Sequence, residues 1–110
     1  LPAPRLLLLD RRLPKLDAQW WRKAAEQGQP RAQYNLAQAL VEGKAIRKDL
    51  VEAYKWYHLA ADRGDRDAGR MRNALGVELS PEEVAEALKR AREFKSQLHA
   101  EMTEKRELAF

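Results

Sequence analysis

One segment of this chain occurs twice, and the spacing of the two copies limits the folds available to it. Residues 20–28 (WWRKAAEQG) and 56–64 (WYHLAADRG) align at an offset of 36 residues. The first tryptophan, both alanines and the glycine match, and Ala32 matches Ala68 just beyond. A repeat of this length is typical of stacked helical hairpins, because each unit is too small to bury its apolar face alone. The sequence therefore predicts a repeat protein.

The apolar residues predict that these repeats are helical. They recur at three- and four-residue steps, and no stretch alternates apolar with polar residues as a half-buried strand would. The stripe consists of Ala24, Ala25, Ala32, Leu36, Ala37, Leu40, Ala53, Tyr57, Ala60 and Ala61. We expect helices over about 18–27, 30–42, 50–63 and 66–76, and a final helix of about 25–30 residues from Pro81.

Capping residues mark the predicted helix ends. Three aspartates stand where a carboxylate can accept from the amides of a first turn, and three glycines stand where a left-handed residue can end a helix. They are Asp17, Asp49 and Asp65, and Gly28, Gly43 and Gly64. Before the final helix, Ser80 and Glu83 have the spacing of a capping box, in which each side chain accepts from the other residue's amide.

The same residues resemble the Sel1-like repeat family, which is related to the tetratricopeptide repeats. The family pattern joins an Ala-Gln-Tyr-x-Leu-Gly helix through a Gly-x-Gly loop to an Ala-x-x-Trp-Tyr-x-x-Ala-Ala-x-x-Gly helix. This chain supplies Ala32, Gln33, Tyr34, Leu36, Gly43, Asp49, Ala53, Trp56, Tyr57, Ala60, Ala61 and Gly64. It departs from the pattern at Ala37, Leu40 and Ala45, where the family usually has a glycine, an aromatic residue and the second loop glycine.

The resemblance implies an all-α fold, a short right-handed α-solenoid of tetratricopeptide-like hairpins with a long C-terminal capping helix. It divides the chain into three parts. Residues 1–16 are interpreted as an N-terminal arm or the remnant of a preceding repeat, residues 17–79 as the Sel1-like repeat region, and residues 80–110 as the capping helix.

The residue types favour binding over catalysis. Serine occurs only at Ser80 and Ser96, histidine only at His58 and His99, and cysteine is absent. None of these has the spacing of a nucleophile with its base or of a metal site, and the glycines form no phosphate loop. We therefore expect no enzyme activity, no metal and no cofactor. The longest apolar run, Leu6–Leu9, is shorter than the ~20 residues of a membrane span, so none is expected.

The expected function is a protein–protein interaction module, an adaptor or scaffold, as the resemblance also implies. Stacked hairpins present a preformed curved surface to a peptide or partner helix. Tyr54 and His58 lie four residues apart beside the core stripe of the third predicted helix. With Arg22 and Lys55 they are the predicted partner contacts, and ordinary half-exposed side chains are the alternative. The recurring aromatic residues Trp20, Trp21, Trp56 and Tyr57 are expected to pack in the core.

The charge distribution leaves one alternative function. Residues 1–73 contain 15 Lys and Arg against 9 Asp and Glu, whereas residues 74–110 contain 6 against 8. A basic nucleic-acid-binding helical domain is therefore the second hypothesis, but acidic residues interrupt the basic ones, which disfavours it. Because the array is short, a homodimer through the last helix is also considered. The compartment stays open, with the bacterial periplasm, secretion or the cytoplasm all compatible.

Overall fold

The computed structural model describes residues 14–109, which form five α-helices and contain no strand. The helices are α1 (Pro14–Glu26), α2 (Pro30–Glu42), α3 (Leu50–Asp62), α4 (Arg66–Glu78) and α5 (Pro81–Ala109). The all-α prediction is confirmed, and the bounds of α2 to α5 lie within two residues of those expected. Residues 1–13 of the predicted arm lie outside the described residues.

The first helix begins earlier than the sequence predicted. It starts at Pro14, so Asp17 lies within its first turn and is not the residue that precedes the helix. A proline suits the first position because its missing N–H would have no partner inside the helix there.

The other predicted caps form as expected. Asp49 Oδ1 accepts from the Glu52 amide at 3.1 Å, and Asp65 Oδ1 accepts from the Ala68 amide at 3.0 Å. Before α5, the Ser80 amide donates to Glu83 Oε1 at 2.9 Å while the Glu83 amide donates to Ser80 Oγ at 3.1 Å. These local bonds separate the helices, so each apolar face can pack against a different neighbour.

Successive helices pack pairwise into a short α-solenoid, and α5 then returns to pack on α3. The side chain of alanine is a single methyl group, so helices that meet at buried alanines can approach each other closely. The fully buried alanines are Ala25, Ala37, Ala53, Ala60, Ala68 and Ala87. α5 runs in the same direction as α3, because Arg90 contacts Glu52 and Phe94 contacts Trp56.

The two copies of the repeated tryptophan have different environments. Trp56 is 4% exposed, and its ring meets Phe94 of α5 edge to face with centroids 5.1 Å apart. Tyr57 is fully buried and Trp21 is half-buried. Trp20, however, is 71% exposed, so the expectation of core packing is wrong for this residue. The reason is that α5 covers the second copy of the repeat, while no described helix covers the indole of the first.

No helix within residues 14–109 combines the length and the apolar character that a membrane crossing requires.

Candidate functional site

An open groove of about 710 Å³ lies between α1, the loop 43–49, α3 and α5. The segments that flank the groove define its two ends. The loop joins the end of α2 to the start of α3, and Leu98 of α5 lies beside the place where a Cβ on Gly28, at the end of α1, would stand. One end of the groove is therefore formed by the loop, and the other by the end of α1 and the distal part of α5.

Part of the groove lining is apolar. Its apolar lining consists of Leu40, Ile46, Trp56, Phe94 and Leu98. Trp56 and Phe94 hold each other at an interplanar angle of 72°, a geometry that the ring quadrupoles favour. Because this pair also joins α3 to α5, the apolar lining is part of the packed core and its position is fixed.

Four acidic residues line the groove, and two of them are engaged by neighbours. Asp49 caps α3. Glu52 Oε2 lies 2.9 Å from Lys55 Nζ, and Glu52 Oε1 lies 3.2 Å from Arg90 Nη1. Glu26 and Glu101 form no ion pair with any side chain that the structure describes, and both lie at the end of the groove away from the loop.

Three of the four basic residues that line the groove form no ion pair with a described side chain. Lys55 is paired with Glu52, and its ammonium lies 4.2 Å from the centre of the Trp56 ring. Arg22, Arg47 and Lys48 are exposed, and none of them forms an ion pair with a described side chain. Arg47 and Lys48 are adjacent in the loop, so two of these three cations lie at the loop end of the groove.

The structure divides the four predicted contact residues between two surfaces. Arg22 and Lys55 line the groove. Tyr54 lies on the side of α3 that packs against α4, since a Cβ added to Gly76 would stand 3.4 Å from the Tyr54 ring. His58 is on the same side, with Nδ1 3.2 Å from Arg72 Nη1 of α4. Tyr54 and His58 therefore lie outside the groove lining.

Several groove residues were not predicted as partner contacts. Arg47 and Lys48 belong to the basic half of the chain that suggested nucleic-acid binding, and Phe94 and Leu98 belong to the last helix. The signal that could have indicated Arg47 and Lys48 is that two cations stand next to each other in a short loop. No local pattern indicated that Phe94 would meet Trp56, because that contact depends on how α5 folds back.

His58 belongs to a charged cluster that joins three helices. Its Nε2 lies 3.6 Å from Asp62 Oδ2, which also accepts from Lys95 of α5, while Arg72 of α4 donates to Nδ1. Burial lowers the pKa of His58, Asp62 opposes this, and the charges of Arg72 and Lys95 lower it further. Burial alone would raise the pKa of Asp62, but the hydrogen bond from Lys95 and the nearby cations bring it below its ordinary value.

We expect the stability of the protein to fall as the pH falls below the ordinary histidine pKa of 6.5. The unfolded chain then binds a proton at His58 that the folded chain binds less readily, so protonation favours unfolding. Thermal unfolding between about pH 7.5 and about pH 5.5, which spans the titration range of histidine, measures the effect. His58→Gln should reduce the drop in midpoint, whereas His99→Gln, at an exposed position on α5, should not. An equal response of both variants would contradict the assignment.

Comparisons with known proteins agree with the fold. The Sel1 repeat model matches residues 18–29 and 30–65. The chain is also similar to the chitin synthase regulator SKT5 of Malassezia restricta, with 36% identity over 66 residues, which is 57% of this chain and 5% of that protein. The chain thus spans about one twentieth of the length of this curated relative. Sel1 repeats generally mediate protein–protein interaction.

Proposed function

We propose that this chain, whose residues 18–65 are Sel1 repeats, is a non-enzymatic interaction module that binds a peptide or partner helix in the groove between α1, α3 and α5. The observation that carries the proposal is the combination of a fixed apolar lining with exposed cations at its rim. Interfaces of this kind use buried aromatic anchors for affinity and a polar rim for orientation.

The physical advantage of such a groove is that it exists before the partner arrives. The packed helices hold Trp56 and Phe94 in place, so binding orders few scaffold groups and loses little conformational entropy. The relative is a chitin synthase regulator by name, which supports an adaptor or scaffold role for the present chain. We assign it no catalytic residue and no cofactor.

Three sequence-based predictions stay proposals. One is the division into an arm (1–16), a repeat region (17–79) and a closing helix (80–110). Another is pairing of two copies through α5, whose distal half exposes Met102. The last is the assignment of Tyr54 and His58 as partner contacts, which would require a partner that reaches around α3 towards α4.

The arrangement of the four predicted contacts provides a test of the groove. We expect Arg22→Glu/Lys55→Glu to weaken binding at least about tenfold, equivalent to about 1.4 kcal/mol, because it reverses the charge of two residues that line the groove. A partner is first captured with the unaltered chain and identified by mass spectrometry. Its affinity for each purified variant is then measured by isothermal titration calorimetry.

Tyr54→Ala/His58→Ala is the matched control, since it also changes two of the predicted contacts but leaves the groove lining intact. It should retain the partner, provided that circular dichroism shows both variants to be helical at the temperature used. Loss of binding only in this second variant would move the site to the α3–α4 surface. Full binding by both variants would contradict the proposal.

A further inference from the structure

We infer that the groove binds an acidic peptide segment, with its carboxylates at the loop end and an apolar side chain against Phe94 and Leu98, two half-buried residues of the lining. This inference rests on the proposed function and names the chemistry of the partner. Its basis is the distribution along the groove of charges that form no ion pair within the described part of the chain, taken with the direction in which the helices run.

The two ends of the groove differ in the charge they offer. At the loop end, Asp49 caps α3 and Glu52 pairs with Lys55 and Arg90, while Arg47 and Lys48 form no ion pair with a described side chain. At the opposite end, Glu26 and Glu101 face the groove near Arg22. A ligand with carboxylates throughout would be repelled there, so its acidic residues belong at the loop end.

Lys55 is the cation of the groove that lies against its aromatic residues. Its ammonium lies 4.2 Å from the Trp56 ring centre and 5.9 Å from that of Phe94. Arg47 and Lys48 line the same groove as Lys55 and Phe94, so an apolar residue near the peptide's carboxylate can contact the half-buried Phe94 ring. Charge at the rim steers association and sets orientation, while the buried contact supplies most of the affinity.

A nucleic-acid phosphate backbone fits the same cations less well. Its charge is uniform along its length, and binding depends on neutralising several phosphates in succession. The groove instead ends in Glu26 and Glu101, two carboxylates that form no ion pair with a side chain the structure describes. The polarity of the site thus favours a short acidic segment of a protein.

Selection from a phage-displayed library of short random peptides on the full chain tests this inference. The expected result is enrichment of peptides that combine Asp or Glu with an adjacent aromatic or aliphatic residue. An enriched peptide is then synthesised with a fluorophore, and its affinity is measured by fluorescence anisotropy for the variants below and at two salt concentrations.

Two variants that change the groove charge in opposite directions provide matched controls. Arg47→Gln/Lys48→Gln is expected to weaken the acidic peptide about tenfold or more, with reduced salt dependence. Glu26→Gln/Glu101→Gln removes two charges from the same groove and is expected to retain or tighten binding. A third variant, Arg66→Gln/Arg70→Gln, lowers the net charge equally on exposed positions of α4 and should bind as the unaltered chain does.

The outcomes separate this inference from the proposed function. Enrichment of basic or uncharged peptides would overturn the acidic inference but leave peptide binding in place. Absence of any enrichment would overturn both. Binding of a labelled random duplex that is lost in Arg47→Gln/Lys48→Gln and falls steeply with salt would replace the peptide with nucleic acid.

Discussion

Replacing Trp56 with alanine is expected to lower the free energy of unfolding by about 3–5 kcal/mol, as for other buried aromatic residues truncated in a core. The side chain is 4% exposed and holds α3 against α5 through Phe94. Its loss leaves a cavity between the two helices and removes the surface on which the Lys55 ammonium lies. Urea denaturation followed by far-ultraviolet circular dichroism measures the change.

Trp20→Ala is the control, because Trp20 occupies the equivalent position in the first copy of the repeat. It is 71% exposed, so we expect a loss of less than about 1 kcal/mol, in line with the small apolar area that it buries. Equal losses in the two variants would contradict the finding that α5 protects only the second copy. A small loss for Trp56→Ala would show that α3 and α5 are held together elsewhere.

The helices could be predicted from the sequence because their ends depend on neighbouring residues. Asp49, Asp65 and Ser80 cap amides three residues away, and Gly43 and Gly64 adopt positive φ at helix ends. Each of these interactions joins residues within one helical turn, so the local sequence is enough to predict it. The exception is α1, for which the sequence predicted a cap at Asp17, whereas the helix begins at Pro14.

The candidate site was harder to predict because it depends on contacts between distant segments. The repeat suggested equal roles for Trp20 and Trp56, but only the second has α5 across it. Similarly, Tyr54 and His58 share a helix face, but Gly76 and Arg72 of α4 occupy that side. Periodicity shows which residues share a face of one helix. It does not show which neighbouring helix covers that face.

Gly43→Ala is expected to destabilise the protein by about 2–4 kcal/mol, from left-handed backbone strain together with crowding in the loop. Gly43 ends α2 with φ 70°. A Cβ here would stand 2.8 Å from Lys48 Cβ and 3.4 Å from Lys48 Cα. Because Cβ is attached directly to the backbone, rotation of the lysine side chain does not relieve the contact, and the loop itself must move.

Gly64→Ala separates the two contributions. Gly64 has φ 101°, but a Cβ there would meet no atom within 4 Å, so only backbone strain of about 1–3 kcal/mol applies. The φ of Gly64 is less favourable for alanine than the φ of Gly43. We nevertheless expect Gly43→Ala to show the larger loss of stability when both variants are measured by denaturation. It should also weaken the acidic peptide, since the shift displaces Lys48 and Arg47. Equal stability losses with unchanged peptide affinity would mean that the loop adapts without moving its cations.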